Sequence, residues 1–205
     1  MKRSIYTVFI VAVCGCFCQP SRCSEQFQTY GFVNRTSTLD APVFDSMGVR
    51  LSGTNYVAVL YGGPAPDDLQ LAKAFPGDPT PMPPVPFTYM PSGMAGYFRY
   101  DFGIVELQNV SCSELPWLQV RAWDARLGSS YEEVAALDLG GYGESSLFRL
   151  RGGLQPPCVS NSTVPSTLHG LESFALREVI PEPSSTLLLL LGLPALLFFR
   201  RRRSQ

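Results

Sequence analysis

Residues 187–199 form an apolar run that is closed by four arginines, Arg200, Arg201, Arg202 and Arg203. A run of this kind followed at once by four charges fits neither the surface nor the core of a water-soluble domain, and it divides the chain between two environments. A helix over residues 184–199 rises about 24 Å, slightly less than a hydrocarbon core of about 30 Å. It spans when the serines before it and the arginines after it reach outward, and Pro194 kinks it on the way. Basic residues beside a membrane segment stay cytoplasmic, so the preceding chain lies outside. A buried C-terminal helix of a soluble domain is the alternative, and the adjacent arginines argue against it. Just upstream, Pro181, Glu182 and Pro183 disfavour helix and leave an extended strip at the membrane face.

These residues resemble the PEP-CTERM protein-sorting signal, a tail made of a Pro-Glu-Pro motif, a hydrophobic segment and a basic cluster, found on exported bacterial proteins. All three parts occur in order over residues 179–205. The resemblance implies an exosortase-type membrane protease as partner, transient residence in the inner membrane and processing near the motif. It further implies release or attachment at the cell surface, usually in bacteria that make exopolysaccharide.

The other end has the layout of a secretory signal peptide over residues 1–23. Lys2 and Arg3 precede an apolar run from residue 5 to 13, and small or polar residues take over by residues 19–24. An A-x-A-like site is absent, and Ser21-Arg22-Cys23 places the cut after Cys23. A lipoprotein alternative at Cys16 has a cysteine, Cys14, where a small aliphatic or hydroxyl residue is usual. Between the two targeting segments, residues 25–178 suffice for one domain with a real core. From residue 25 to 183 there are nine basic and seventeen acidic residues, a net charge of −8. A domain of that sign has no electrostatic reason to seek nucleic acid or anionic lipid. Of six cysteines, Cys14, Cys16, Cys18 and Cys23 fall in the removed segment, leaving Cys112 and Cys158. In an oxidising setting these two most simply pair with each other. A metal or catalytic thiol is the alternative, and neither cysteine has a CxxC companion.

The middle reads as strands. Residues 55–61, 97–107 and 117–124 are rich in β-branched and aromatic side chains bounded by turn formers, and residues 27–34, 146–151 and 171–180 look like three more. In 117–124, Leu118, Val120 and Ala122 share one face and Trp117, Gln119, Arg121 and Trp123 the other. One short helix is expected over 131–139, ended by the glycines from Gly140. The proline-dense stretch 76–91 reads as an extended surface connector. The expected class is all-β, an antiparallel β-sandwich, Ig-like or jelly-roll-like, with an N-terminal signal peptide and a single C-terminal transmembrane helix. Segments 39–45, 56–64, 120–124 and 141–148 also resemble stretches that recur in uncharacterised PEP-CTERM-tailed proteins, a resemblance that implies one extracytoplasmic domain and no activity.

Candidates for chemistry are sparse, and no catalytic residue, metal ligand or cofactor is assigned. His169 is the single histidine and has no acid beside it. Asp67-Asp68, Glu132-Glu133 and Asp101 with Glu106 are the carboxylate pairs that glycoside hydrolysis would need. Asp40, Asp45, Asp67, Asp68 and Asp78 lie in loop-prone segments suited to calcium, without EF-hand spacing. Tyr56, Tyr61, Tyr97, Tyr100, Trp117 and Trp123 offer either a sugar-stacking face or core, with core favoured. Sequons at Asn34, Asn109 and Asn161 are weak signals in a bacterial exported protein. Three functions remain in view: a non-catalytic structural or adhesive surface protein, a carbohydrate-binding or glycoside-active domain, and an ice-adhesive protein. The last would want regular threonine rows, which the chain lacks.

Overall fold

A computed structural model describes residues 28–75, 77–87, 94–101, 103–110, 114–149 and 166–179. Among these the chain forms strands and one short helix, the all-β class expected. The centre is a long strand, β3 (Gly53–Ala65), after β1 (Gln28–Gly31) and β2 (Val43–Phe44). Val57 to Gly63 are all buried, so β3 reads as a continuous apolar run because both of its faces are covered. Antiparallel to it lies β7 (Trp117–Asp124), in unbroken register from Tyr56 opposite Asp124 to Gly63 opposite Trp117. The predicted strand 117–124 is therefore found with its predicted bounds, and Leu118, Val120 and Ala122 are fully buried on one face.

On its other edge β3 is long enough to pair with two strands, β4 (Asp68–Leu71) toward its end and β5 (Val85–Phe87) toward its start. β5 corrects the expectation that 76–91 is only a surface connector. Pro86 sits opposite Val57 within it, and a proline is tolerated there because β5 is an edge strand, with one side unpaired among the described residues. Val85 and Phe87, on either side of it, are buried. β7 pairs in turn with β8 (Tyr142–Glu144), and a second sheet places β1 between β6 (Val105–Leu107) and β9 (Ser166–Thr167). This sheet packs over the first where Leu107 meets Gly62, at which a Cβ would lie 2.6 Å from a Leu107 methyl. Gly63 beside it lies so close to the Asp68 carbonyl that a Cβ would collide with it.

Predicted strand 97–107 is broken. Gly103 takes φ +92° and its N–H turns back to the Tyr100 carbonyl, so Arg99 forms only a bridge to Val33 and the true strand starts at Val105. In the predicted strand 146–151, Phe148 makes a single bridge to Leu118. The helix α1 (Tyr131–Leu137) begins where expected, with the Ser130 hydroxyl accepting from the Glu133 N–H. It stops two residues early because Asp138 turns left-handed, with φ 52°. Tyr131 and Val134 face the sheet, and the Tyr131 ring meets Trp123 and Tyr142 edge-on. Near the end of the described chain, β10 (Phe174–Ala175) pairs in parallel with β2, so the predicted strand 171–180 survives only at its middle.

Candidate functional site

Asn34 organises one end of the molecule. Fully buried, it donates to the Ala41 and Gly96 carbonyls at 2.7 and 2.9 Å and accepts the Phe98 N–H at 2.8 Å. Its amide is thus saturated, which removes it as a glycosylation acceptor. This pin and the Val33–Arg99 bridge bring residues 33–35 alongside 94–101, and between them opens a cleft of about 250 Å³. Val33, Met94, Tyr97 and Phe98 line it, while Arg35, Arg99 and Asp101 supply the charges.

Tyr97 is buried in the cleft wall, and its hydroxyl donates to Asp40 Oδ1 at 2.5 Å. Burial first, and then this bond, push its phenol above the ordinary value. Two guanidiniums lie over its ring, Arg35 at 4.8 Å and Arg50 at 5.4 Å from the centroid, and Arg35 Nη1 reaches Met94 Sδ at 2.9 Å. With its ring so covered, Tyr97 positions arginines and does not present a stacking face. Arg99 is exposed at the rim. Two cations and one carboxylate on a half-open cleft suit an anionic group, carboxylate above all, through paired N–H donors. Sequence reasoning missed Arg35 and Arg99 as a pair, since 64 residues separate them and neither belongs to a motif.

The carboxylate pairs are dispersed by the fold. Glu132 turns to the sheet, accepting from the Tyr61 hydroxyl at 2.5 Å and from Arg121 Nη1 at 3.2 Å. Glu133 instead accepts from the Ser129 N–H and hydroxyl, and those bonds hold its carboxyl below the ordinary value. Glu106 is buried, 3.6 Å from Lys73 Nζ and accepting the Gly77 N–H at 2.6 Å, whereas Asp101 is at the cleft rim. Asp67 and Asp68 belong to the β3–β4 hairpin. Asp45 and Asp78 accept backbone N–H groups of their own turns, Met47 and Val49 for the first and Thr80 for the second. Among the described residues no group of three His, Cys, Asp or Glu is placed to hold a metal.

The aromatic candidates do not form a common exposed face. Tyr61, Tyr100 and Trp123 are buried, the last donating to the Gly128 carbonyl at 3.1 Å, and half-buried Trp117 carries Arg149 over its ring at 4.4 Å. Arg121 lies between Tyr61 and Tyr131, 4.0 and 5.0 Å from their centroids, and 3.8 Å from Glu144, so this polar cluster ties α1 to β7 and β8. His169 reaches Thr38 Oγ1 at 3.5 Å. The disulfide candidates Cys112 and Cys158, the motif Pro181, Glu182 and Pro183, the arginines 200–203, the signal-peptide segment 1–23 and the expected helix 184–199 lie outside the described residues. Among the described residues no helix is long and apolar enough to cross a membrane.

No curated protein and no solved structure matches the chain. The sorting signal read from the tail is recognised independently: residues 179–204 match the family model of the PEP-CTERM protein-sorting motif, so the chain carries such a motif from the point where its described fold ends.

Proposed function

We propose that the protein is a surface or extracellular-matrix protein of non-catalytic, structural or adhesive role, delivered by its tail and then freed of it. The observation that carries this reading is the sorting motif at 179–204, which implies export and handling by an exosortase. In this reading residues 1–23 are the signal peptide, 25–178 the extracytoplasmic domain and 184–199 a helix held transiently in the inner membrane. Packing of Leu107 over Gly62 supports a sandwich of two sheets. A Cys112–Cys158 bond belongs to the same proposal, as the pairing expected of two cysteines in an oxidising compartment. The engagement of Glu132, Glu133 and Glu106 in structural bonds supports a role without catalysis. The test is intact mass in cells that carry an exosortase. The surface protein should lack residues 187–203, and replacing Pro181, Glu182 and Pro183 by alanines should leave insertion intact while blocking that loss. A mature species that keeps the apolar segment in the native sequence would make the tail an ordinary anchor.

A second reading, binding of an exopolysaccharide, is favoured by the Arg35–Arg99 cleft, whose charges suit an acidic glycan more than a neutral one. Arg99→Ala should weaken retention on a polyuronate column about tenfold, the loss of one charge-assisted contact, and leave the melting temperature unchanged. Equal retention of both proteins would remove the cleft from consideration.

A further inference from the structure

The last described residues are strapped to the domain. After β10, the Leu176 N–H bonds the Phe44 carbonyl at 2.9 Å, the Arg177 N–H bonds Tyr142 O at 2.8 Å, and the Gly141 N–H bonds Arg177 O at 2.9 Å. The strap runs directly over backbone. A Cβ on Gly140 would collide with the Glu178 carbonyl, and one on Gly143 would lie 2.5 Å from that of Ala175. Arg177 clamps it further, with Nη1 2.9 Å from the Tyr142 hydroxyl and 4.0 Å from Asp138. Contact with the domain therefore continues to Val179, which packs against Gly140 and Gly141, and a single residue, Ile180, separates it from Pro181. Five residue steps lead from Val179 to Ser184, where the apolar helix is expected to begin, a reach of at most about 18 Å. The headgroup layer of one leaflet itself occupies about 5–8 Å.

We propose that the pole of the domain around this strap rests on the lipid headgroups of the leaflet that holds the tail. This rests on the reading of the tail as a membrane segment. The surface at that pole fits the place. Leu137 and Val179 are half-exposed, at 50 and 46 %, and the side chains of Arg126 and Arg177 are 61 and 66 % exposed. Such apolar side chains reach into an interface while arginines meet phosphate. Asp124, paired with Arg126, and Asp138 and Glu178 on the same pole leave it without net positive charge, so free domain has little attraction for lipid. The short tether is what seats it, by raising the effective concentration of pole against membrane to the millimolar range. The domain then stands in a defined orientation, with the β3–β4 hairpin and Trp117 at the far end of the sheet.

The experiment uses the unprocessed full chain in liposomes of lipid alone and in membrane vesicles without exosortase, compared with a variant carrying about twelve Gly-Ser residues between Val179 and Ile180, a spacer of about 19 Å mean reach. Hydroxyl-radical labelling read by mass spectrometry reports Leu137 and Val179 at the pole and Leu115, beside Trp117, at the far end. In both preparations the native chain should be labelled at least about threefold less than the spacer variant at the two pole residues and equally at Leu115, as a tether-dependent contact requires. Equal labelling at the pole in a chain that resists carbonate extraction overturns the proposal and leaves the membrane tail standing. Protection in vesicles but not in lipid-only liposomes overturns it in favour of a membrane protein covering the pole. A chain released by carbonate overturns the membrane reading of the tail, and the proposal with it.

Discussion

Asn34 has both amide hydrogens and its carbonyl oxygen committed to backbone groups at zero exposure. Replacing it by leucine would strand the Ala41 carbonyl and the Phe98 N–H away from water, while the Gly96 carbonyl keeps the Val43 N–H, and each stranded group costs about 1–3 kcal/mol. Asn34→Leu should therefore lower unfolding free energy by about 3–5 kcal/mol in urea titration, and open the cleft that it pins. Asp124 makes a different case. Burial would raise its pKa, but the bonds from the Arg126 guanidinium and N–H outweigh this and hold it below the ordinary carboxylate value. A depressed carboxylate stabilises the fold above its unfolded value of about 3.9, and that contribution is lost as pH falls through the lower folded value. The urea midpoint of the native protein should thus decline below about pH 4, and Asp124→Asn should decline less over the same window while starting lower at neutral pH. At this scale sequence was a poor guide to roles. Glu106 looked like half of an acid pair with Asp101, yet it is Lys73, 33 residues away, that it meets. Charge partners are chosen by the topology, which residue identity alone does not contain.

Elements were legible in proportion to how local their causes are. β7 was found with its bounds because its alternation lies in eight consecutive residues, and α1 is set by equally local causes, the Ser130 cap and the acids of its first turn. β5 was hidden by Pro86, since whether a proline can sit in a strand depends on whether that strand is an edge, and only the pairing with β3 decides this. The strap after β10 was equally hidden, because its partners are carbonyls and N–H groups of β2, Gly141 and Tyr142. It yields a prediction of its own. Gly140 has φ +83° and no room for a Cβ against Glu178, so Gly140→Val should detach residues 176–179 and destabilise the domain by about 2–4 kcal/mol. Hydrogen exchange of the Leu176 and Arg177 amides should rise in this variant well before exchange in β3 and β7, as local opening at the sheet's edge would require.

For the whole molecule, the proposed Cys112–Cys158 bond closes a loop that contains β7, α1 and β8. Peptide mapping of exported protein should find the two joined, and reduction should cost about 3–4 kcal/mol by freeing that loop in the unfolded chain. Two free thiols in exported protein would contradict it. Address and class are written locally: the Pro-Glu-Pro, apolar and arginine blocks of the tail are contiguous, and a membrane or a sorting enzyme reads them as contiguous chain. Short β-branched runs between turn formers likewise set the all-β class, because backbone preference is local. It takes the packed fold to bring Arg35 and Arg99 to one cleft, to give β3 two edge strands on one side, and to hold the chain against the domain up to the residue where the sorting motif begins. Each of these joins residues far apart in sequence, and such contacts are selected by how a long buried strand and its close-packed glycines leave room for their neighbours, a property of the assembled core and of no single segment.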